Sequence, residues 1–276
     1  MGGTGVIDLH SHSLASDGQF PPAEVAARAS AAGCSVWALC DHDTVAGLPA
    51  AAEAARRVNV RLVPGIELSA FLERHEIHLL GHFVDPASPA LRDFEDFLAA
   101  QRRVRMGQIV ERLATLGVHV TAEAIESHSG GKTIGRPHVA RAIVASGAVA
   151  TVKEAFDRYL GEGQPAYVQR YRLEAADAVA LVRGAGGTVT IAHPGVSRLE
   201  VGEVARLAAA GVVGIEVIHP DQNPSVREKY QRAADANGLV CTAGSDFHGP
   251  EISPDRHLGM VSMTPEALAA LERRRP

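Results

Sequence analysis

Short apolar runs that alternate with alanine-rich segments are the feature that most restricts the fold of this chain. The runs Val6–Leu9 and Val36–Cys40 have the length of buried strands, and Pro22–Ala32 and Leu48–Val58 after them have the composition of helices. Further strand-like runs follow at Arg61–Leu68, Glu76–Val84, Thr188–Ala192, Gly214–Ile218 and Leu239–Ala243. Strands that alternate with helices at this spacing predict an α/β fold with a parallel sheet or a barrel.

One stretch of the chain breaks this alternation. Between residues 89 and 167, Leu91–Leu116 is typical of one long helix or two, and Val139–Ser146 and Val152–Leu160 are typical of shorter helices. A chain of 276 residues can form one large barrel or two ordinary domains. We therefore predict a barrel domain formed by residues 1–88 and 168–276, with a helical insertion at residues 89–167.

Histidine and acidic residues stand where the apolar runs end, and this placement predicts a metal site. The clusters are His10-Ser11-His12, Asp41-His42-Asp43, Glu67, His193-Pro194 and Asp246-Phe247-His248. Barrels of this type place their active sites at the C-terminal ends of the strands. In an extended segment, side chains two residues apart project to the same side and can bind one cation. Mixed imidazole and carboxylate ligands without thiolates suit Zn, Mn or Fe.

Each cluster taken alone has a plainer interpretation. Asp246 could cap a helix, and His193 could belong to a loop that follows a strand. The clusters together favour metal binding, because so many charged groups at one rim need partners and a cation provides them.

Four further residues stay open on the pattern alone. Strand alternation puts His78 and His82 on the same face, and periodicity does not choose between them. His219 again follows an apolar run and can reach the site. Glu216 lies inside that run and is either a group at the rim or an internal hydrogen-bonding partner.

Composition narrows the class of substrate and the location. A formal net charge of −5 argues against binding to long nucleic acid but is compatible with a small phosphorylated substrate. No apolar run approaches the roughly 20 residues that span a bilayer, and the first residues do not resemble a signal peptide. The three cysteines show no metal or disulfide spacing, which predicts reduced thiols and a cytoplasmic protein. No obligate protein partner is evident.

The motifs, taken in chain order, resemble those of the PHP (polymerase and histidinol phosphatase) family of metal-dependent phosphoesterases. They are His10-x-His12, Asp41-His42-Asp43, Gly65-Ile66-Glu67, His193-Pro194 and Asp246-x-His248. The resemblance implies a distorted, TIM-like (β/α)7 barrel and three divalent ions, with Mn²⁺ favoured and Zn²⁺ or Fe²⁺ as alternatives. The implied ligands are His10, His12, Glu67 and Asp246 for the first metal, Glu67, His78 and His193 for the second, and Asp17, His42 and His248 for the third.

Within the family, the chain is similar to the nucleoside 3′,5′-bisphosphate phosphatase branch. This similarity rests on Leu-His-Ser-His-Ser-x-x-Ser-Asp-Gly at residues 9–18, on the insertion, and on Gly135-Arg136-Pro137-His138 within it. It implies a phosphoric monoester hydrolase that removes the 3′-phosphate by means of a metal-activated hydroxide. Alternatives are a 5′–3′ exoribonuclease acting on short oligoribonucleotides, a histidinol phosphatase, an amidohydrolase-type enzyme and a non-catalytic module.

The resemblance also implies roles for individual side chains. The expected catalytic residues are Asp17, Glu67, Asp246 and His248, and the expected substrate contacts are Lys132, Arg136, His138 and His219. Arg136 can clamp a second phosphate bidentately, although a solvated loop charge is the alternative interpretation for Arg136 and Lys132. Asp41, Asp43 and His219 are candidates for orienting the ligands or for protonating the leaving group.

Overall fold

A computed structural model describes residues 5–128 and 135–276. The strands are β1 (Val6–Asp8), β2 (Cys34–Leu39), β3 (Arg61–Leu72), β4 (His75–His82), β5 (Leu173–Glu174), β6 (Thr188–Ile191), β7 (Gly214–Ile218) and β8 (Val240–Ala243). The helices are α1 (Pro22–Ala31), α2 (Leu48–Arg57), α3 (Pro89–Thr115), α4 (Ala122–Ser127), α5 (Arg136–Ala145), α6 (Val152–Ala155), α7 (Ala175–Gly184), α8 (Val201–Ala209), α9 (Pro224–Asn237) and α10 (Pro265–Glu272). A π-helical turn at Phe156–Leu160 follows α6.

The strands form one mixed sheet in the order β1-β2-β3-β4-β6-β7-β8, with β5 beside β3. Strand β4 runs antiparallel to both β3 and β6, so the interpretation of this run as a further parallel strand is wrong. The cause is the connection between β3 and β4, which consists only of Glu73 and Arg74. Two residues can join antiparallel strands, whereas a parallel pair needs a crossover of a dozen residues or more.

The segments that follow the two edge strands are joined by backbone hydrogen bonds. The amide of Leu9 donates to the carbonyl oxygen of Ala243 (3.0 Å), and the amide of Asp246 donates to that of His10 (2.9 Å). A parallel bridge between Ser11 and Phe247 extends this pairing. The polar residues after β1 and after β8, which lie far apart in sequence, are therefore adjacent in the fold.

By its internal packing the chain divides into two compact units, residues 1–92 with 172–276 and residues 93–171. In the first unit Trp37 and Leu39 of β2 are fully buried, as are the alanines on the inner faces of α1 and α2, such as Ala26 and Ala51. Small side chains let these helices lie close to the sheet, which suits a chain with only 4% aromatic residues.

The second unit has an apolar core of its own, formed by buried residues of α3, α4, α5 and the π-helical turn. They include Ile109, Leu113, Ile125, Ile143 and Leu160. The segment for which one helix or two were expected is the single helix α3. Across residues 5–128 and 135–276, no helix combines the length and the apolar character needed to cross a membrane.

Candidate metal centre

The nine predicted ligands form one connected cluster in the first unit. His10 and His12 follow β1, His42 follows β2, and His193 follows β6, as their strand-end positions predict. Glu67, by contrast, lies inside β3, because the hairpin with β4 extends that strand to Leu72. The ligand side chains are largely buried except for that of Asp17, which is 56% exposed. The cluster therefore meets solvent at Asp17.

Four of these side chains direct one atom each towards a common point. They are His10 Nε2, His12 Nε2, Glu67 Oε2 and Asp246 Oδ1. The two imidazole nitrogens are 3.1 Å apart, and each lies 3.2 Å from Glu67 Oε2. Asp246 Oδ1 lies 3.4 Å from the nitrogen of His10 and 3.2 Å from that of His12. Ligands about 2.0–2.1 Å from a tetrahedral cation are separated by roughly 3.3–3.4 Å, so these four atoms have the spacing of a metal-binding cage.

Glu67 offers its second oxygen to a different set of histidines. Its Oε1 lies 2.9 Å from His78 Nδ1 and 3.1 Å from His193 Nε2. His42 Nδ1 is also near Glu67, 3.3 Å from Oε2, and His42, Glu67 and His78 form a group with metal-binding spacing. The two oxygens of one carboxylate thus approach two groups of candidate ligands, which is the arrangement that a bridging ligand requires.

The third group surrounds Asp17. His248 Nε2 lies 3.3 Å from Asp17 Oδ1, and His42 Nε2 lies 3.8 Å from Asp17 Oδ2. His12 joins them through its second ring nitrogen, 3.8 Å from Asp17 Oδ1, although the family resemblance does not imply His12 for this position.

Asp41 organises the loop that carries Asp17. Its buried carboxylate accepts hydrogen bonds from the amide of Ser13 (2.7 Å), from the hydroxyl of Ser13 (2.7 Å) and from the hydroxyl of Ser16 (2.7 Å). Asp41 therefore stabilises the loop that carries Asp17, and its role in orienting ligands or protonating the leaving group stays a prediction.

The donor set fits divalent cations. Four buried ring nitrogens in the cluster have no hydrogen-bond partner in the described part of the chain: Nδ1 of His12, His42, His78 and His193. His42 and His78 approach Glu67 closely, but the geometry is not that of a hydrogen bond. Buried polar atoms are rarely left unsatisfied in proteins, and a cation held by His42, Glu67 and His78 would satisfy the nitrogens of these two histidines.

Strong mutual attraction holds the charges of the cluster together. Burial alone would raise the pKa of Glu67, but His42, His10 and His78 lower it well below its usual range. Burial lowers the pKa of His12, but hydrogen bonds to Asp246 and Glu67 outweigh that effect and raise it to about 10. Burial likewise lowers the pKa of His10, but Glu216, Glu67 and Asp246 outweigh burial and raise that pKa well above its usual range.

The outer oxygen of Asp246 is held by residues behind the cage. His219 is fully buried, and its Nδ1 accepts a hydrogen bond from the amide of Asp221, so the proton is on Nε2, 3.4 Å from Asp246 Oδ2. Arg256 donates to the same oxygen and forms an ion pair with Asp221. His219, predicted to contact the substrate, therefore stands behind Asp246, and its role towards substrate stays a prediction.

Arg256 is a residue that sequence reasoning missed. It lies in an irregular loop after β8, in the run Ser253-Pro254-Asp255-Arg256, and carries no motif or spacing that points to a metal site. Only the folded chain brings its guanidinium to Asp246. His82, the alternative to His78, is buried elsewhere and donates from Nε2 to the carbonyl oxygen of Leu9 (2.9 Å).

The remaining predicted substrate contacts belong to the second unit. Arg136 begins α5, donates to the carbonyl oxygen of Leu160 (3.2 Å) and lies 5.3 Å from the ring centre of Tyr167. His138 Nδ1 accepts a hydrogen bond from the amide of Gly135 (2.9 Å) and so caps the same helix. Lys132 lies outside the described residues.

The sequence is similar to one known protein family and to two named enzymes. A sequence profile of the PHP domain matches residues 8–168. The chain is 39% identical over 258 residues to a 3′,5′-nucleoside bisphosphate phosphatase of Chromobacterium violaceum, covering 88% of this chain and 87% of that protein. It is 36% identical over 251 residues to the 5′-3′ exoribonuclease Rnm of Salmonella typhimurium, covering 89% and 86%.

A solved structure is similar over the whole chain. It is that of a Bifidobacterium adolescentis protein described as a proposed metal-dependent phosphoesterase, with a TM-score of 0.79 and 30% sequence identity. The alignment covers 100% of this chain and 98% of that one. The similarity therefore includes both compact units.

Proposed function

Because the chain belongs to the PHP domain family, we propose that it is a metal-dependent phosphoesterase that removes the 3′-phosphate from nucleoside 3′,5′-bisphosphates. The observation that carries this proposal is the cage formed by His10, His12, Glu67 and Asp246, which continues through both oxygens of Glu67 into two further groups. The similarity to the bisphosphate phosphatase of Chromobacterium violaceum supports the choice of substrate.

Three cation positions are proposed, each with a ligand set of its own. His10, His12, Glu67 and Asp246 would hold the first ion, Glu67, His78 and His193 the second, and Asp17, His42 and His248 the third. Mixed nitrogen and oxygen ligands suit Mn²⁺, which we propose as the native ion, with Zn²⁺ or Fe²⁺ as alternatives. Bound ions would supply an activated water at neutral pH and neutralise the charge on the phosphoryl oxygens.

The protein's own contribution is to position and hold these groups. Glu67 fixes the position of the first ligand set relative to the second, since its carboxylate belongs to both. His219 and Arg256 fix Asp246 from behind, so that Oδ1 stays directed into the cage. Asp17, being the most exposed ligand, marks the side at which we propose that the phosphate enters.

We propose that Arg136 binds the second phosphate of the substrate, because a guanidinium matches phosphate geometry bidentately and keeps its charge at all physiological pH values. His138 and Lys132 are proposed to assist it. A net charge of −5 is compatible with a small anionic substrate whose charge is neutralised locally. The cysteines Cys34, Cys40 and Cys241 are free thiols, in keeping with the cytoplasmic location that we propose.

A second candidate activity is 5′–3′ exoribonuclease cleavage of short oligoribonucleotides. It is favoured by the 36% identity to the Rnm exoribonuclease, which covers 89% of this chain. Both activities are hydrolyses of phosphate esters and require the same metal chemistry, so the two proposals differ only in the substrate.

The test is a substrate panel measured with one enzyme preparation. Phosphate release from 3′-phosphoadenosine 5′-phosphate is compared with nucleotide release from a 5′-phosphorylated trinucleotide RNA, and with amide hydrolysis as a control. We expect phosphate release from the bisphosphate, its loss after chelation with EDTA, and its return with Mn²⁺. Full activity after exhaustive chelation, or hydrolysis of amides alone, would contradict the proposal.

A further inference from the structure

Glu216 is a buried carboxylate that none of the three ligand sets includes. It lies in β7, is 1% exposed, and contacts two of the proposed ligands rather than a cation position. Its Oε1 is 3.1 Å from His10 Nδ1, and its Oε2 accepts a hydrogen bond from the backbone amide of His193 (2.8 Å).

The contact with His10 determines which ring nitrogen is available to a metal. A carboxylate beside Nδ1 keeps the proton on that nitrogen, which leaves the lone pair of Nε2 directed at the cage. Nε2 is the atom that lies 3.1–3.4 Å from His12, Glu67 and Asp246.

The contact with His193 acts on the backbone. His193 has a φ of +24°, a conformation that residues other than glycine rarely adopt and that the surrounding structure must stabilise. The hydrogen bond from its amide to Glu216 helps to hold this conformation, and the imidazole then reaches Glu67 Oε1.

Glu216 is itself held firmly, as a positioning group must be. The side-chain amide of Gln222 donates to the carbonyl oxygens of Glu216 and Val217, both at 2.9 Å. Gly244 leaves the space that Glu216 and His10 occupy. A Cβ at position 244 would lie 2.2 Å from Glu216 Oε1 and 2.2 Å from His10 Cβ.

We infer that Glu216 is a positioning residue of the metal centre, which sets the tautomer of His10 and the backbone of His193 through its two oxygens. This inference rests on the ligand sets of the proposed function. This role requires a carboxylate. A glutamine has only one acceptor oxygen, so its NH₂ group would face either His10 Nδ1 or the amide of His193, from which Glu216 now accepts hydrogen bonds.

The decisive variant is Glu216→Gln, tested by Mn²⁺ titration with detection of the free ion by EPR. We expect at least one equivalent of Mn²⁺ to bind roughly 10–100-fold more weakly, the range found when partners of metal ligands are changed. We also expect kcat at limiting Mn²⁺ to fall and to recover at high Mn²⁺, with KM for substrate unchanged. Unaltered affinity for every equivalent would overturn the inference.

Glu203→Gln is the matched control, because Glu203 also pairs with a histidine, His75, at 3.2 Å but lies outside the three groups with metal-binding spacing. It should leave Mn²⁺ affinity unchanged. If both variants bound Mn²⁺ equally weakly, the loss of any glutamate–histidine pair would be enough to weaken binding, and the inference would fail.

A second measurement needs no variant at position 216. In Zn²⁺-loaded wild-type protein labelled with ¹⁵N-histidine, long-range ¹H–¹⁵N spectra should show His10 protonated on Nδ1 and ligating through Nε2. The signal is assigned by its absence in His10→Gln. The opposite tautomer would overturn the inference. Neither the Mn²⁺ affinity nor the tautomer of His10 depends on which substrate the enzyme hydrolyses.

Discussion

At the scale of single residues, the site is a set of buried charges that neutralise one another. Glu67 is 1% exposed and contacts five histidines: His10, His12, His42, His78 and His193. A buried carboxylate without partners would be strongly destabilising. The histidine rings surround this carboxylate on the side of the proposed cation positions, and bound cations would supply the positive charge that it needs.

The first prediction concerns the protons of the histidine rings. The pKa of His12 is raised to about 10, so its ring carries two protons at pH 7 and must lose one to bind a metal. Metal binding at pH 7 should therefore release protons, and the apparent affinity should rise as the pH is raised from 7 towards 10. Calorimetric titration of the apoprotein with Mn²⁺ in two buffers of different ionisation enthalpy measures the release. Identical heats in both buffers would refute the prediction.

The second prediction concerns Arg136. If it binds the second phosphate, Arg136→Ala should raise KM for a nucleoside bisphosphate roughly 10–100-fold, the value of a charged hydrogen bond of about 1.5–3 kcal/mol. A nucleoside 3′-monophosphate, which lacks that phosphate, should show little change. Arg141→Ala is the control, since Arg141 is an exposed arginine on the same helix. Equal KM changes in both variants would indicate a general loss of positive charge.

At the scale of elements, close approach of the backbone determines where side chains can meet. Strand β7 and the segment after β8 pack so tightly that a Cβ at position 244 would lie 2.2 Å from Glu216 Oε1 and 2.2 Å from His10 Cβ. Asp246, two residues later, has a φ of +50°, and its amide donates to the carbonyl oxygen of His10 (2.9 Å), which helps to hold this left-handed conformation.

The third prediction follows from this packing. Gly244→Ala should lower the free energy of unfolding by about 1–3 kcal/mol, because the added methyl group overpacks the site, and should weaken Mn²⁺ binding. Gly202→Ala in α8 is the control, since a Cβ there meets nothing within 4 Å. Urea denaturation of the two apoproteins measures the difference. A Gly244→Ala protein as stable as the control would show that the site adapts without strain.

At the scale of the whole molecule, all nine proposed ligands belong to one of the two compact units, residues 1–92 with 172–276. A ligand that binds only the folded state stabilises it by an amount that depends on its concentration, about 2.7 kcal/mol at 100 times Kd. The local stability of the unit that contains the ligands should therefore increase more than that of the other unit.

The fourth prediction uses this difference between the units. Addition of Mn²⁺ to the apoprotein should slow amide hydrogen exchange in peptides that contain the ends of β1, β2, β6 and β8. Peptides from the core of the second unit, such as those of α5, should change little. Exchange with mass-spectrometric detection reports both in one sample, and slowing confined to residues 93–171 would contradict the assignment of the ligands.

Much of the fold could be predicted because local patterns encode it. Apolar runs of strand length and alanine-rich segments located most strands and helices to within a few residues, and a metal-dependent phosphoesterase was the expected class. The direction of β4 was missed, because apolar alternation is the same in parallel and antiparallel strands and only the two-residue connection at Glu73 and Arg74 distinguishes them.

The amino-acid sequence specifies much of the chemistry of the site, because His10, His42 and His193 follow strands whose C-terminal ends lie at one edge of the sheet. Which atoms are neighbours depends on the tertiary structure. It joined His10 to Asp246 across 236 positions of chain, placed Glu216 behind His10, and brought Arg256 out of an irregular loop to Asp246. Contacts of this kind depend on strand order, register and close packing, which the identity of neighbouring residues in a sequence does not specify.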